Sequence, residues 1–152
     1  MNVVLDISQF NKDCVHFQEP VRNTVMDNSN FVRIIYSNSL FALNGVFVHF
    51  SLRNARTERY FAKYKCTFDY GENKAVVAQL VGIEEEILRR AAIPDKRRSF
   101  KIREQLQQGG IKLFANENDG QVGSSFLLKI SGIWETASEI GITFKFIDSQ
   151  HA

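Results

Sequence analysis

The hydrophobic period of this chain changes from strand to helix at Gly71, and that change constrains the fold more than any other feature. Before it, apolar residues recur at every second position. Val46, Val48, Phe50 and Leu52 fall on one face of a strand, and Phe47, His49, Ser51 and Arg53 on the other. Residues 59–70 read as a second strand of the same kind. Tyr60, Ala62, Tyr64, Cys66 and Phe68 share one face, and Phe61, Lys63, Lys65 and Thr67 the other. The more apolar set of each strand is expected to face the core. After Gly71 the period becomes helical, with Val77, Leu80, Ile83, Ile87 and Leu88 on one stripe. Asn73 is a candidate cap, Arg89 and Arg90 suit the C-terminal end of the helix dipole, and Pro94 ends the element. Glu84, Glu85 and Glu86 are consecutive and are expected on the solvated side.

The flanking segments fill in the order of elements. Residues 2–7 read as a short strand, and 8–30 as polar and irregular. Ile34–Tyr36 and Leu40–Leu43 read as strands about a turn at Ser37-Asn38-Ser39. Asn44-Gly45 predicts a type I′ hairpin leading into Val46–Arg53. A second helix is expected over 100–108, around Ile102 and Leu106, stopped by Gly109-Gly110. Strands follow at 111–115, 126–134 and 140–147, separated by a polar loop at 116–125 and a turn at 135–139. Thirteen phenylalanines against two prolines favour strands. The chain therefore reads as one domain over 1–152, mainly β with one main helix, with a β-rich core at 31–147 and a less regular segment at 1–30. Strands, helix, then strands excludes a purely parallel α/β sheet. The expected architecture is an OB-fold-like barrel with its helix between the third and fourth core strands. A β-sandwich or jelly roll is the alternative.

Catalysis finds little support in the residues. The three histidines, His16, His49 and His151, lie far apart in the sequence, and no serine sits in a GxSxG elbow. Gly109-Gly110 lacks the following GK[ST] of a phosphate loop. Cys14 and Cys66 have neither CxxC spacing nor a histidine partner, so they read as reduced thiols. We expect no enzyme, no cofactor and no metal. There is no apolar run of membrane-spanning length and no signal-like N-terminus, so we expect an intracellular protein without a membrane partner.

Adhesion to a nucleic acid fits the charge pattern better. The net charge is only +2, but the positive charge is segmental. Residues 53–65 carry Arg53, Arg56, Arg59, Lys63 and Lys65 against Glu58. Residues 89–103 carry Arg89, Arg90, Lys96, Arg97, Arg98, Lys101 and Arg103 against Asp95. Binding a single strand needs cations for phosphates and exposed aromatic rings for bases. Phe47, His49, Phe61, Lys63, Lys65 and Arg53 would supply both on the outward face of the first two strands. Lys96, Arg97, Arg98, Phe100, Lys101 and Arg103 would line a rim. Trp134, the sole tryptophan, either stacks a base at a strand end or plugs the core, and Lys129 and Lys145 would extend the basic surface.

Four stretches carry a resemblance. They are IIYSNSLFALNGVFVHFSL at 34–52, KYKCTFDYGEN at 63–73, KIREQL at 101–106 followed by IKLF at 111–114, and SGIWETASEIGITFKF at 131–146. Together, over roughly residues 31–147, the chain resembles small proteins of nucleocytoplasmic large DNA viruses, among them an OB-fold single-stranded DNA-binding type similar to phage replication binders. The resemblance implies single-stranded DNA, or RNA, as the ligand. It also implies a role in viral DNA replication, recombination or repair, in the infected cell's cytoplasm or nucleus and with replication proteins as partners. One departure stands out. Replication-type binders end in an acidic tail with a terminal aromatic, and this chain ends Ile147-Asp148-Ser149-Gln150-His151-Ala152. The alternative function is a β-rich minor capsid or virion protein that contacts other virion proteins. An unpaired strand edge would also allow a homo-oligomer.

Overall fold

The computed structural model describes residues 4–60, 63–114 and 124–149, with the side chains of Tyr60 and Phe114 outside the description. The described chain is mainly β with one main helix. Its strands are β1 (Val4–Asp6), β2 (Val15–Phe17), β3 (Val21–Arg22), β4 (Asn30–Ser37), β5 (Ala42–Asn44), β6 (Val46–Ser51), β7 (Arg56–Tyr60), β8 (Lys63–Thr67), β9 (Arg97–Ser99), β10 (Gly110–Phe114), β11 (Ser125–Glu135) and β12 (Glu139–Asp148). Helix α1 spans Lys74–Ala91, and the short α2 spans Lys101–Gln107. No described helix is long and apolar enough to cross a membrane.

The main hydrogen-bonded path runs β1-β6-β11-β12-β10-β8-β7 and does not close among the described residues. The β11–β12 hairpin is its spine. At a bulge between Ile130 and Gly132, β11 changes partner. Residues 125–130 pair with β6, and 132–135 pair with β4. Strand β4 in turn carries β2, β3 and β5. One face of this sheet is apolar. Val46, Val48, Phe50 and Leu52 are buried there with Phe126, Leu128, Ile130 and Phe146. They join Val77, Leu80, Ile83, Ile87 and Leu88 of α1 in a single core. The face assignments read from the alternation hold on β6 and on β8, whereas Tyr60 pairs with Lys63 and so does not continue the Tyr64–Cys66 set. On β6 the inner set is buried, while Phe47 and His49 are half-buried and Ser51 and Arg53 exposed. On β8, Cys66 is buried, and Lys63 and Lys65 are exposed.

Three expectations need correction. Asn44-Gly45 does not close a hairpin onto β6. Asn44 still pairs with Ile35 of β4, whereas Val46 pairs with Ile130 of β11, so Gly45 is where the chain passes from one partner to the other. Its φ is +93°, and a Cβ there would lie 2.7 Å from the Ile130 carbonyl oxygen. Glycine thus serves close approach as well as backbone freedom. Second, residues 59–70 are not one strand. Tyr60 pairs with Lys63, so β7 and β8 form an antiparallel hairpin, and the two-residue connection carries no punctuating glycine or proline to announce it. Third, Glu84 is not solvated: it is 0% exposed. Its carboxylate accepts the backbone N–H of Ile102 at 2.9 Å and of Arg103 at 3.0 Å, tying the start of α2 to α1. Burial pushes its pKa upward, and the two donated bonds oppose that rise.

Candidate nucleic-acid interface

On the sheet face opposite the core, register brings four lysines into one row. Lys65 of β8 pairs with Lys112 of β10. β10 runs parallel to β12 with Leu113 beside Phe146, which sets Lys112 alongside Lys145 one residue back on both strands. Lys145 pairs with Lys129 of β11, and Lys129 with Phe47 of β6. Glu58, paired with Lys65, ends the row at the β7 edge. Neighbouring strands lie about 4.8 Å apart, so the four ammonium stems span roughly 14 Å. Lys65, Lys112 and Lys145 are exposed, and Lys129 is half-buried with its Nζ 5.6 Å from the Phe47 ring centroid. Lys65, Lys112 and Lys129 form no ion pair with a described residue. Like charges directly opposite on a sheet are unfavourable, so a row of this kind suits a polyanion better than it suits the fold alone.

The next row of the same face holds His49, Leu127 and Ile147. Leu127 is 2% exposed between those two neighbours, although it lies on the outer side. His49 Nδ1 stands 4.0 Å from Asp6 Oδ1. The Asp6 carboxylate is held below its ordinary pKa, mainly because the Ser8 hydroxyl and amide donate to it.

At the other end of β11 the outer face becomes aromatic. Trp134 pairs with Phe31 of β4 on one side and with Gly141 of β12 on the other. Its indole lies on Gly141, where a Cβ would sit 2.4 Å from Cζ2. The Phe31 ring lies on Gly132, and the Arg33 guanidinium is 5.6 Å from the Phe31 centroid. Trp134 is half-buried, on the opposite side of the sheet from the core residue Ile133.

The residues of the second basic run do not gather into an open rim. Lys96 bonds the Thr136 carbonyl and pairs with Glu135 at 3.3 Å. Arg97 pairs with Glu139, and Lys101 with Glu104 at 3.3 Å. Arg103 pairs with Glu85 and lies over the Phe100 ring at 4.1 Å. Upstream, Arg89 pairs with Glu86, and Arg90 donates to the Val15 carbonyl. Arg98 is exposed on β9 without a described ion pair. The acids that neutralise this run lie in α1, α2 and β11–β12, too far away in sequence to be seen as partners, Glu86 and Glu104 excepted. In the first run, Arg53 is exposed where Asn73 accepts its N–H at 2.8 Å. Arg56 is exposed beside a surface depression lined also by Asn54, Thr67, Asp69 and Glu72. Arg59 is exposed and faces Tyr64 across the β7–β8 pair. Phe61 lies outside the described residues.

Sequence reasoning missed Lys112, Phe31 and Arg33. Lys112 alternates with the core residues Ile111 and Leu113, a signal that was present in IKLF. Phe31 and Arg33 belong to the first half of β4, which begins four residues before the expected strand start. Among the described residues no cluster of His, Cys, Asp or Glu could hold a metal ion. Burial pushes the Cys66 thiol upward in pKa, away from reactivity. Comparison with family models, with curated proteins and with solved structures finds no match.

Proposed function

We propose that the protein binds single-stranded nucleic acid, without sequence preference and without catalysis, on the outer face of its sheet. The observation that supports this is the row Lys65–Lys112–Lys145–Lys129–Phe47 in consecutive register. Four cations in line can follow the phosphates of an extended strand, and a ring at the end of the line can receive a base. The finer fold reading that accompanies it is OB-like, on the ground that α1 falls in sequence between β8 and β10, which pair antiparallel within the mixed sheet. The resemblance to proteins of large DNA viruses points to viral DNA replication, recombination or repair as the setting.

The test is fluorescence anisotropy with a labelled oligothymidylate at two salt concentrations, about 50 and about 200 mM. Affinity should fall steeply with salt, with a slope of about 0.7 per phosphate contacted. The double variant Lys65→Glu, Lys112→Glu should weaken binding by at least about tenfold and flatten the slope. Unchanged affinity in that variant removes this face from consideration. No binding by the wild-type protein at the lower salt overturns the reading in favour of a protein–protein role in the virion.

A further inference from the structure

We infer that Trp134, Phe31 and Arg33 form a base-stacking subsite that continues the lysine row along β11. The inference rests on the proposed function and extends it to where the bases go and how long the site is. Each of the two rings is laid on the sheet by a glycine. A Cβ at Gly141 would come within 2.4 Å of Trp134 Cζ2, 2.5 Å of Cε2 and 2.8 Å of Nε1. One at Gly132 would come within 2.7 Å of Phe31 Cε2 and Cζ. Each ring thus has its inward side on a glycine, while both residues remain half-exposed. Covering a glycine in a sheet is by itself a known packing device and accounts for the inward faces. It does not account for two half-exposed aromatics on cross-strand neighbours with an exposed arginine, Arg33, over one of them.

The ground between this pair and the lysines is low. Ser131 and Thr143, both small, lie between Lys129 and the two rings, which themselves cover Gly132 and Gly141. A strand that leaves the lysine row at Lys129 can run over these small residues without meeting a bulky side chain. From Lys129 to Trp134 is five residues, about 16 Å of strand. With the roughly 14 Å of the lysine row, the path is about 30 Å, enough for about five extended nucleotides and within the range known for single-strand sites. Phosphates occupy the lysine row, and one base each stacks on Trp134 and Phe31, with Arg33 neutralising the phosphate between them.

Because Trp134 is the only tryptophan, its emission reports this subsite alone. Titration with oligothymidylates of about three, six and twelve nucleotides should quench it, with the same midpoint as the anisotropy change. Affinity per site should stop rising beyond about six nucleotides. Trp134→Leu and Phe31→Leu should each weaken binding by about 5- to 100-fold, and Trp134→Phe should restore most of the loss. If Trp134→Leu fails to fold, the wild-type quench and Phe31→Leu still decide. Salt-sensitive binding that needs Lys65 and Lys112 but leaves Trp134 emission and the Phe31→Leu affinity unchanged overturns the stacking subsite and leaves the lysine reading standing. No binding at any length overturns both.

Discussion

Lys65 and Lys112 stand directly opposite each other across the β8–β10 ladder, two exposed like charges on one face of the sheet. The Lys65 stem lies beside Gly110, two residues before Lys112, with its Cε 3.4 Å from the position a Cβ would take there, an ordinary van der Waals distance. The repulsion is a cost the fold carries, of about 0.2–1 kcal/mol for a facing pair. Replacing Lys112 by Glu should therefore raise stability by a similar amount in low salt, while lowering oligonucleotide affinity. Chemical denaturation and anisotropy on the same variant separate the two effects. A variant that is both less stable and fully competent for binding would show that the pair serves packing.

The basic run at 96–103 should behave in the opposite way. Arg97 and Lys101 are held by Glu139 and Glu104, so their charges are already neutralised locally. Arg97→Ala and Lys101→Ala should leave affinity within about twofold, the scale of a remote charge under physiological screening. Lys96→Ala should cost about 1 kcal/mol of stability, because it removes a bond to the Thr136 carbonyl and leaves Glu135 without its cation. A tenfold loss of binding on replacing Arg97 or Lys101 would return this segment to the interface.

What could be read in advance follows the physics of each signal. Alternation on β6 and β8 fixed which residues face inward, because period two leaves no freedom once one face is buried. The stripe on α1 was equally plain. Partners were not: whether Asn44-Gly45 closes a hairpin or passes a strand from β4 to β11 depends on Ile130, eighty-five residues away. The lysine row was visible only in fragments, since its members come from β8, β10, β11 and β12 and only register aligns them. Glu84 looked solvated because two acids follow it, yet the position it shares with the apolar stripe faces the unpaired amides of α2.

Gly45 carries a stability prediction of its own. Its φ of +93° disfavours any side chain, and a Cβ would meet a backbone oxygen at 2.7 Å, which cannot swing away. Gly45→Ala should cost about 2 kcal/mol or more, from strain and displacement of the Ile130 carbonyl together. A melting temperature within a degree or two of wild type would mean that the crossing between β4 and β11 is built differently.

Glu84 gives a pH signature that no exposed carboxylate would give. Burial raises its pKa above the ordinary value of 4.5, so the folded protein holds that proton more tightly than the unfolded chain does. Its contribution to stability is fully present below the unfolded value and is lost as pH rises through the higher folded value. Glu84→Gln keeps the shape and cannot ionise. Measured against it, the wild-type protein should be at its relative best below about pH 4.5, lose ground as pH rises through the folded value, and then run parallel. Glu84→Ala should cost about 2 kcal/mol at acid pH as well, because the amides of Ile102 and Arg103 lose their acceptor. Urea unfolding of the three proteins across the acid range measures both effects. Parallel profiles for the wild type and the glutamine variant at every pH would mean that the bonds from Ile102 and Arg103 offset the burial in full, and the upward shift would fall.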